Sequence, residues 1–471
     1  MVKRSKHAGQ AAVASVLAAA LLTGCGGGDG DGEAGKGAGG GAAEASATPQ
    51  QTARLTVPAA WDGTRGWDRT LTWVPQNAQY PVAVVPGARA VAVVDRADGG
   101  FTVRVDSAAS GEPLWSSRPW QRPVPKPDAK EHALVPKVLG VEQGGQRFVV
   151  LAAHGITGKD DLHEGTEVVR LAVYPAEAKG KDLAPLREID VPVHATAGEV
   201  VVQARGGRVL VAYGEQGDYP QWSAAADLVT GSVTPYDQPA ALLPQCERPH
   251  CSARVLAAGA AGPLVGLGGG FGVPGRWFSD AVRPEGVAAK AGSWKVWNGG
   301  VYGVAGGRFL AEWENEGKNG SSTAPTWSVH DLDSGRLLAR MECAYSEQLS
   351  GISYRGRTDH PVVASPSGRF LAAGPVAFDI ERGKGVCLQG DGNRKSVDVL
   401  AVGDDGTAYG LVDSDAPRVT ARISLGSPDP AVEALGAGVL VPEHTGLDGA
   451  ALFVARDEAD NLRVSLRRGR P

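Results

Sequence analysis

No run of 18 consecutive apolar residues occurs in the 471-residue chain, and a bilayer-spanning helix needs about 20. A transmembrane helix is therefore not expected. Positive charge is not in excess: 47 Lys+Arg face 52 Asp+Glu, for a formal net charge of −5. That balance disfavours nucleic acid as a partner and disfavours electrostatic attraction to anionic lipid. The body contains no G-x-S-x-G, H-E-x-x-H, Walker loop or C-x-x-C, so the catalytic families those spacings serve are not indicated. Its histidines, at 132, 154, 163, 194, 250, 330, 360 and 444, are scattered singly. Isolated imidazoles of this kind are hydrogen-bonding residues before they are ligands, and neither a metal nor a cofactor is implied. What the chain has in abundance is glycine and proline, 66 and 31 residues. That load breaks helical runs every few turns and excludes a mainly helical protein. The 42% hydrophobic content still supplies a large core.

The N-terminus carries an address. Lys3, Arg4 and Lys6 precede an apolar stretch from Ala11 to Leu22, too short to cross a membrane and of the length of a signal-peptide core. Leu22-Thr23-Gly24-Cys25 follows at once and resembles the lipobox of bacterial lipoproteins. The resemblance implies cleavage after residue 24, a diacylglyceryl thioether on Cys25 and acylation of the new amino group, with palmitate among the acyl chains. It places the protein at the cell membrane, lipid-anchored and facing the extracytoplasmic side. Two or more acyl chains give stable anchoring where one does not. Residues 25–52 then form a tether: the 27 residues from Gly26 to Thr52 are Gly-rich and apolar-poor, with a root-mean-square span of roughly 30 Å. Asp29 and Asp31 lack the downstream Glu of a calcium loop and read as solvated linker. Without Lys3, Arg4 and Lys6 the charge falls to −8, with 44 Lys+Arg against the same 52 acids. The lipid, not the protein surface, is then what holds the membrane.

Residues 53–471 are a repeat. A turn glycine followed by an apolar, β-rich run returns at Gly87 (PGARAVAVV), Gly145, Gly207 (GGRVLVAYG), Gly262, Gly307, Gly368 (SPSGRFLAAG), Gly406 and Gly438, about 50 residues apart on average. Glycine supplies the positive φ of a tight hairpin. The runs are apolar at nearly every position, as in strands covered on both faces. A second signal is an Asp-Gly turn: DLVTG at Asp227, DLDSG at Asp331 and DIERG at Asp379, with DSAASG at Asp106 and DAVRPEG at Asp280 as looser versions. Asp closes the turn with its side chain and Gly takes the left-handed residue, which places the motif between the third and fourth strands of each unit.

Four short strands per unit, repeated around 50 residues, is the pattern of an all-β β-propeller. SPSGRFLAAG and VHDLDSGRLLA resemble strand-turn-strand segments of WD-repeat-like and quinoprotein-like propellers. Eight turn glycines favour eight blades, with seven the alternative because the last unit, Val439 to Arg467, is short. Ala53 to Val74, with Trp61, Trp67 and Trp73, either contributes a closing strand or packs across one face. VDSAASGEPLW, ending at Trp115, approximates once, with an extra residue, the quinoprotein-like blade motif A-x-D-x-x-T-G-x-x-x-W, in which the Trp packs between blades; DLVTGSVTP and DLDSGRLLA have the turn but no Trp.

Cys246, Cys251, Cys343 and Cys387 are an even set in a chain read as exported, hence two disulfides. Cys246 and Cys251 are close neighbours in QCERPHCS and are expected to pair. Zinc held with His250 lacks a fourth ligand nearby. Cys343 and Cys387 occupy similar places in successive units, where a bond would staple two blades. The loop His154 to Gly165 carries Asp160, Asp161, His163 and Glu164, candidates for a binding loop although without calcium-ligand spacing. Glu314 to Thr326 is a second long polar loop, and GLGGGFG from Gly266 reads as a place of close backbone approach. The functional reading is a non-catalytic binding or scaffold lipoprotein with a cell-envelope protein or glycan as partner. The alternative is a quinoprotein-like or other propeller enzyme.

Overall fold

The computed structural model describes residues 54–470, except positions 86 and 88, 194–199, 217–218, 247–250, 292–295, 316–323, 346–361, 414–417 and 428–429. The signal segment, Cys25, the tether, His194, His250 and His360 lie outside the described residues. Among the described residues, strand pairing gives eight four-stranded antiparallel units, the fifth and sixth joined into one sheet by the parallel pair Arg340–Lys384, and a separate two-stranded pair, Lys290–Ala291 with Val296–Trp297. Seven follow one another through residues 82–117, 137–192, 201–236, 253–278, 300–342, 363–387 and 397–437. The eighth is built from both ends of the body: His444–Leu447, Ala450–Arg456 and Leu462–Gly469 accept Trp61–Leu71 as their fourth strand. Of the two roles open to residues 53–74, the chain uses the closing strand.

Eight separate apolar clusters fill the gaps, each shared by consecutive sheets, and one of them joins the eighth sheet to the first through Leu71, Leu466, Val91 and Val93. A set of sheets that packs face to face and returns to its start is a β-propeller. The unbroken apolar runs follow directly. Along Gln146–Thr157, Phe148, Val150 and Ala152 enter the cluster shared with the third sheet, whereas Val149, Leu151 and Ala153 enter the one shared with the first. Successive side chains point to opposite faces, and here both faces are core.

Seven of the turn glycines, Gly87 to Gly406, lie at the bend between first and second strands. The eighth does not. Gly438 follows the fourth strand of the seventh sheet, Val432–Ala437, and the corresponding bend in the last sheet is Asp448-Gly449. The Asp-Gly turns at 106, 227, 331 and 379 join third to fourth strands, with Asp227 Oδ1 accepting from the N–H groups of Val229 and Thr230 at 3.0 and 2.8 Å. Asp280 departs from the pattern. It lies in the short helix Ser279–Val282 after the fourth sheet, whose own last bend is Pro274-Gly275-Arg276. Both slips have one cause: Gly and Asp-x-Gly combinations also mark the exits between sheets. Gly335, at φ +69°, shows why the turn demands glycine, since a Cβ there would lie 2.7 Å from the Trp277 ring of the preceding sheet.

Cross-links between sheets supplement the apolar clusters. Trp115 is 1% exposed, lies with its ring tilted 5.6 Å from that of Tyr174 in the second sheet and donates Nε1–H to Ala176 O at 3.0 Å; this is the interblade position its motif implied. Gly180–Leu183, from the second sheet's last connection, adds a parallel fifth strand outside Pro113–Ser117. Cys343 and Cys387 are bonded and join the ends of the outer strands of the fifth and sixth sheets. Cys246 and Cys251 are bonded within the crossing from third to fourth sheet. That loop is short, so C246S/C251S is expected to lose only about 2 kcal/mol by the loop-entropy relation. Urea denaturation of the double variant checks this, and a loss above roughly 4 kcal/mol would contradict it.

Candidate functional site

The two ends of the ring are unlike each other, and the topology dictates how. In a meander the bends between strands one and two and between three and four emerge at one end. The bends between two and three, and every crossing to the next sheet, emerge at the other. The first end therefore holds most of the tight Gly and Asp-Gly turns. The second holds the crossings 118–136 and 388–396, the described parts of the connections after Tyr236, Phe278 and Glu342, and the hairpin tip 158–165. Long surface connections on a rigid scaffold are where binding groups collect.

At this end the crossing 118–136 is fastened across the first two sheets by bridges Phe101↔Trp120 and Val124↔Ile156. Beneath it, Glu167 is 11% exposed and receives Lys126 Nζ at 3.2 Å and His154 Nε2 at 2.7 Å. Burial pulls the His154 imidazole below its ordinary pKa despite that carboxylate. This cluster is internally satisfied and holds the crossing down.

The sequence candidates lie at the neighbouring tip. Asp160 Oδ1 accepts from the N–H groups of Leu162 and His163 at 2.8 and 2.7 Å, and its carboxylate faces His163 Nδ1. These bonds hold the Asp160 carboxyl below the usual range. Asp160 and His163 thus close the turn on itself, while Asp161 and Glu164 are exposed beside them. No group of three or more metal-ligating side chains occurs among the described residues. Most of the second loop, Glu314 to Thr326, lies outside the described residues. GLGGGFG is the close approach expected of it: a Cβ on Gly270, at φ +83°, would meet Trp297 Cβ at 2.7 Å.

A cleft of about 780 Å³ opens at the same end, beside the crossing from the sixth to the seventh sheet. Its walls include Tyr345, Gln389, Asn393, Arg394, Asp398 and Asp413. The crossing is tightly folded. Asp391 Oδ1 accepts from the N–H groups of Asn393 and Arg394 at 2.8 and 2.9 Å, which keeps its carboxyl below the usual range. Arg394 Nη2 donates to Cys387 O and Gln389 O at 3.3 and 3.2 Å. Opposite, the Tyr345 ring stacks 5.6 Å from Trp327, which donates Nε1–H to Tyr345 O at 2.9 Å. Sequence reading did not single out this place. QGDGNRKS looks like any polar turn, and the wall at Tyr345 comes from a different sheet.

No protein-family model matches the chain, and no curated protein matches it. Among solved structures, the chain is similar to the Dos1 propeller, at 11% identity and TM-score 0.37 over 84% of this chain and 94% of that one. It is also similar to the WD40 domain of Toxoplasma gondii coronin, at 10% identity and TM-score 0.32 over 86% of each. A third is KlAtg21, solved in complex with the coiled-coil of AgAtg16, at 9% identity and TM-score 0.33 over 81% of this chain and 96% of that one. Similarity of this degree assigns neither ligand nor activity; the fold rests on the strand pairing and packing of the chain itself.

Proposed function

We propose that the chain is an eight-bladed, lipid-anchored extracytoplasmic propeller that binds a component of the cell envelope on its loop-bearing end, without catalysis. The observation that carries the binding reading is the asymmetry of the ring: tight turns at one end, long connections and a polar cleft at the other. The anchored half of the reading draws its support from Leu22-Thr23-Gly24-Cys25, from the glycine-rich tether and from two disulfides, which persist in oxidising compartments. Trp115, the residue of the quinoprotein-like motif, is engaged in packing and a backbone hydrogen bond, so the motif serves architecture.

The test is metabolic labelling with an alkyne fatty acid followed by membrane fractionation. The parent is expected to carry the label and sediment with membranes, and Cys25→Ser to lose the label and appear in the soluble fraction. An unlabelled parent, or a C25S chain that fractionates as the parent does, removes the anchored half of the reading.

A further inference from the structure

We infer that the cleft beside the sixth-to-seventh crossing is a saccharide site, taking a short oligosaccharide that is neutral or amine-bearing, and that the Cys343–Cys387 bond holds its two walls in register. This deepens the binding reading above and rests on it for the location.

The lining chemistry selects the ligand class. Among the described residues, none that lines the cleft carries an aliphatic side chain, so a lipid or an apolar peptide would bury little surface against them and gain little. Among the described lining residues, three carboxylates, Asp391, Asp398 and Asp413, stand against two cations in number, Arg394 and Lys395. The Arg394 guanidinium is already committed in part to two backbone carbonyls. An anionic ligand therefore meets a cleft with more negative than positive groups. The polar lining is then mostly donors and acceptors: carboxylates that accept, the Asn393 amide that does both and the Tyr345 phenol. Vicinal hydroxyls, each donor and acceptor at once, match such a set. The volume, about 780 Å³, falls in the roughly 300–1,000 Å³ range of small-ligand clefts.

The walls are fixed before any ligand arrives. Cys343 lies two residues before Tyr345 and Cys387 two before Gln389, so the disulfide ties together the strands that deliver the two sides. Asp413 N–H donates to Ser396 O at 2.9 Å and Val397 N–H to Leu388 O at 3.1 Å, which anchors the crossing to the seventh sheet. Groups held in this way lose little freedom on binding.

The experiment is calorimetric titration of the full exported chain with three probes: tetramers of N-acetylglucosamine, of glucosamine and of O-sulfated N-acetylglucosamine. The first two are expected to bind and the sulfated one to bind at least tenfold more weakly. D413N and N393A are each expected to weaken binding at least tenfold with the thermal unfolding midpoint of the parent retained. C343A/C387A is expected to weaken it as well, and where that variant does not fold, the other two decide. Binding of none of the probes, preference for the sulfated one, or parental affinity in D413N and N393A overturns the inference. Crosslinking of the loop-bearing end to an envelope protein, with none of the tetramers bound, would leave the binding role standing and remove this assignment.

Discussion

Arg467→Met is expected to lower the unfolding free energy by about 3–5 kcal/mol, the cost of stripping one partner from a buried ion pair. Arg467 is wholly buried and sits on the last strand. Its guanidinium reaches across the seam to the first strand, with Nη2 2.7 Å from Asp68 Oδ1 and donors to Gly63 O at 3.0 Å and Trp67 O at 3.1 Å. Without it the Asp68 carboxylate, itself 8% exposed, loses the guanidinium it faces. The seam also carries Arg69, which lies 2.9 Å from Asp106 of the first sheet and so continues the closure into the next interface. Adding D68L to R467M is expected to return most of the loss, because replacing both members of a pair by apolar side chains leaves neither charge behind. Urea denaturation of the two variants decides the matter. An R467M chain as stable as the parent would mean that the seam is held by Trp61, Leu71 and their apolar neighbours alone.

How much of this was legible beforehand follows from which interactions are local. The run Arg208 to Tyr213 announces a strand with two covered faces, because alternate side chains must each find apolar neighbours. DLDSG announces its turn because the Asp331 carboxylate closes on Ser334 three residues away. Cys246 and Cys251 announce their bond by proximity. The cleft is a different kind of feature: Tyr345 and Asn393 come together only because two sheets are adjacent in the ring, and neither segment is unusual alone. Arg467 is the same case in stronger form. In LRVSLRRGR it reads as one more surface charge, and its partner stands 399 positions earlier. Gly438 and Gly449 are both glycines after a plausible strand, and only pairing with Leu447 and Ala450 tells which is the bend.

Stability is also expected to fall as pH drops from about 6.5 toward 4, and His330 is the main reason. It is fully buried between the fourth and fifth sheets, with its ring stacked 4.9 Å from Phe309. Its Nδ1 lies 3.0 Å from Gly335 O, and a carbonyl can only accept, so Nδ1 carries the proton. Nε2 is then the acceptor, taking the Ser328 hydroxyl at 2.8 Å, while Ser328 Oγ accepts Trp313 Nε1–H at 2.6 Å. The chain of donors is complete with one proton on the ring. A second proton would turn the Ser328 hydroxyl away from its acceptor and place a charge among aromatic rings. Burial accordingly pushes His330 down from 6.5 to about 4. Below 6.5 the unfolded chain takes up a proton that the folded chain refuses, so stability is full above that pH and declines until about 4. The loss integrates to about 3 kcal/mol at most, since each tenfold difference in proton affinity between the folded and unfolded chain is worth roughly 1.4 kcal/mol. His154 is displaced in the same direction by burial, whereas burial raises Asp106 and opposes the trend. Comparing the parent with His330→Asn isolates the one contribution: the variant is expected to begin less stable at about pH 7 and to lose less between there and about pH 4.5. Equal losses in the two proteins, measured by urea denaturation, would show that the imidazole accepts its second proton inside the fold after all.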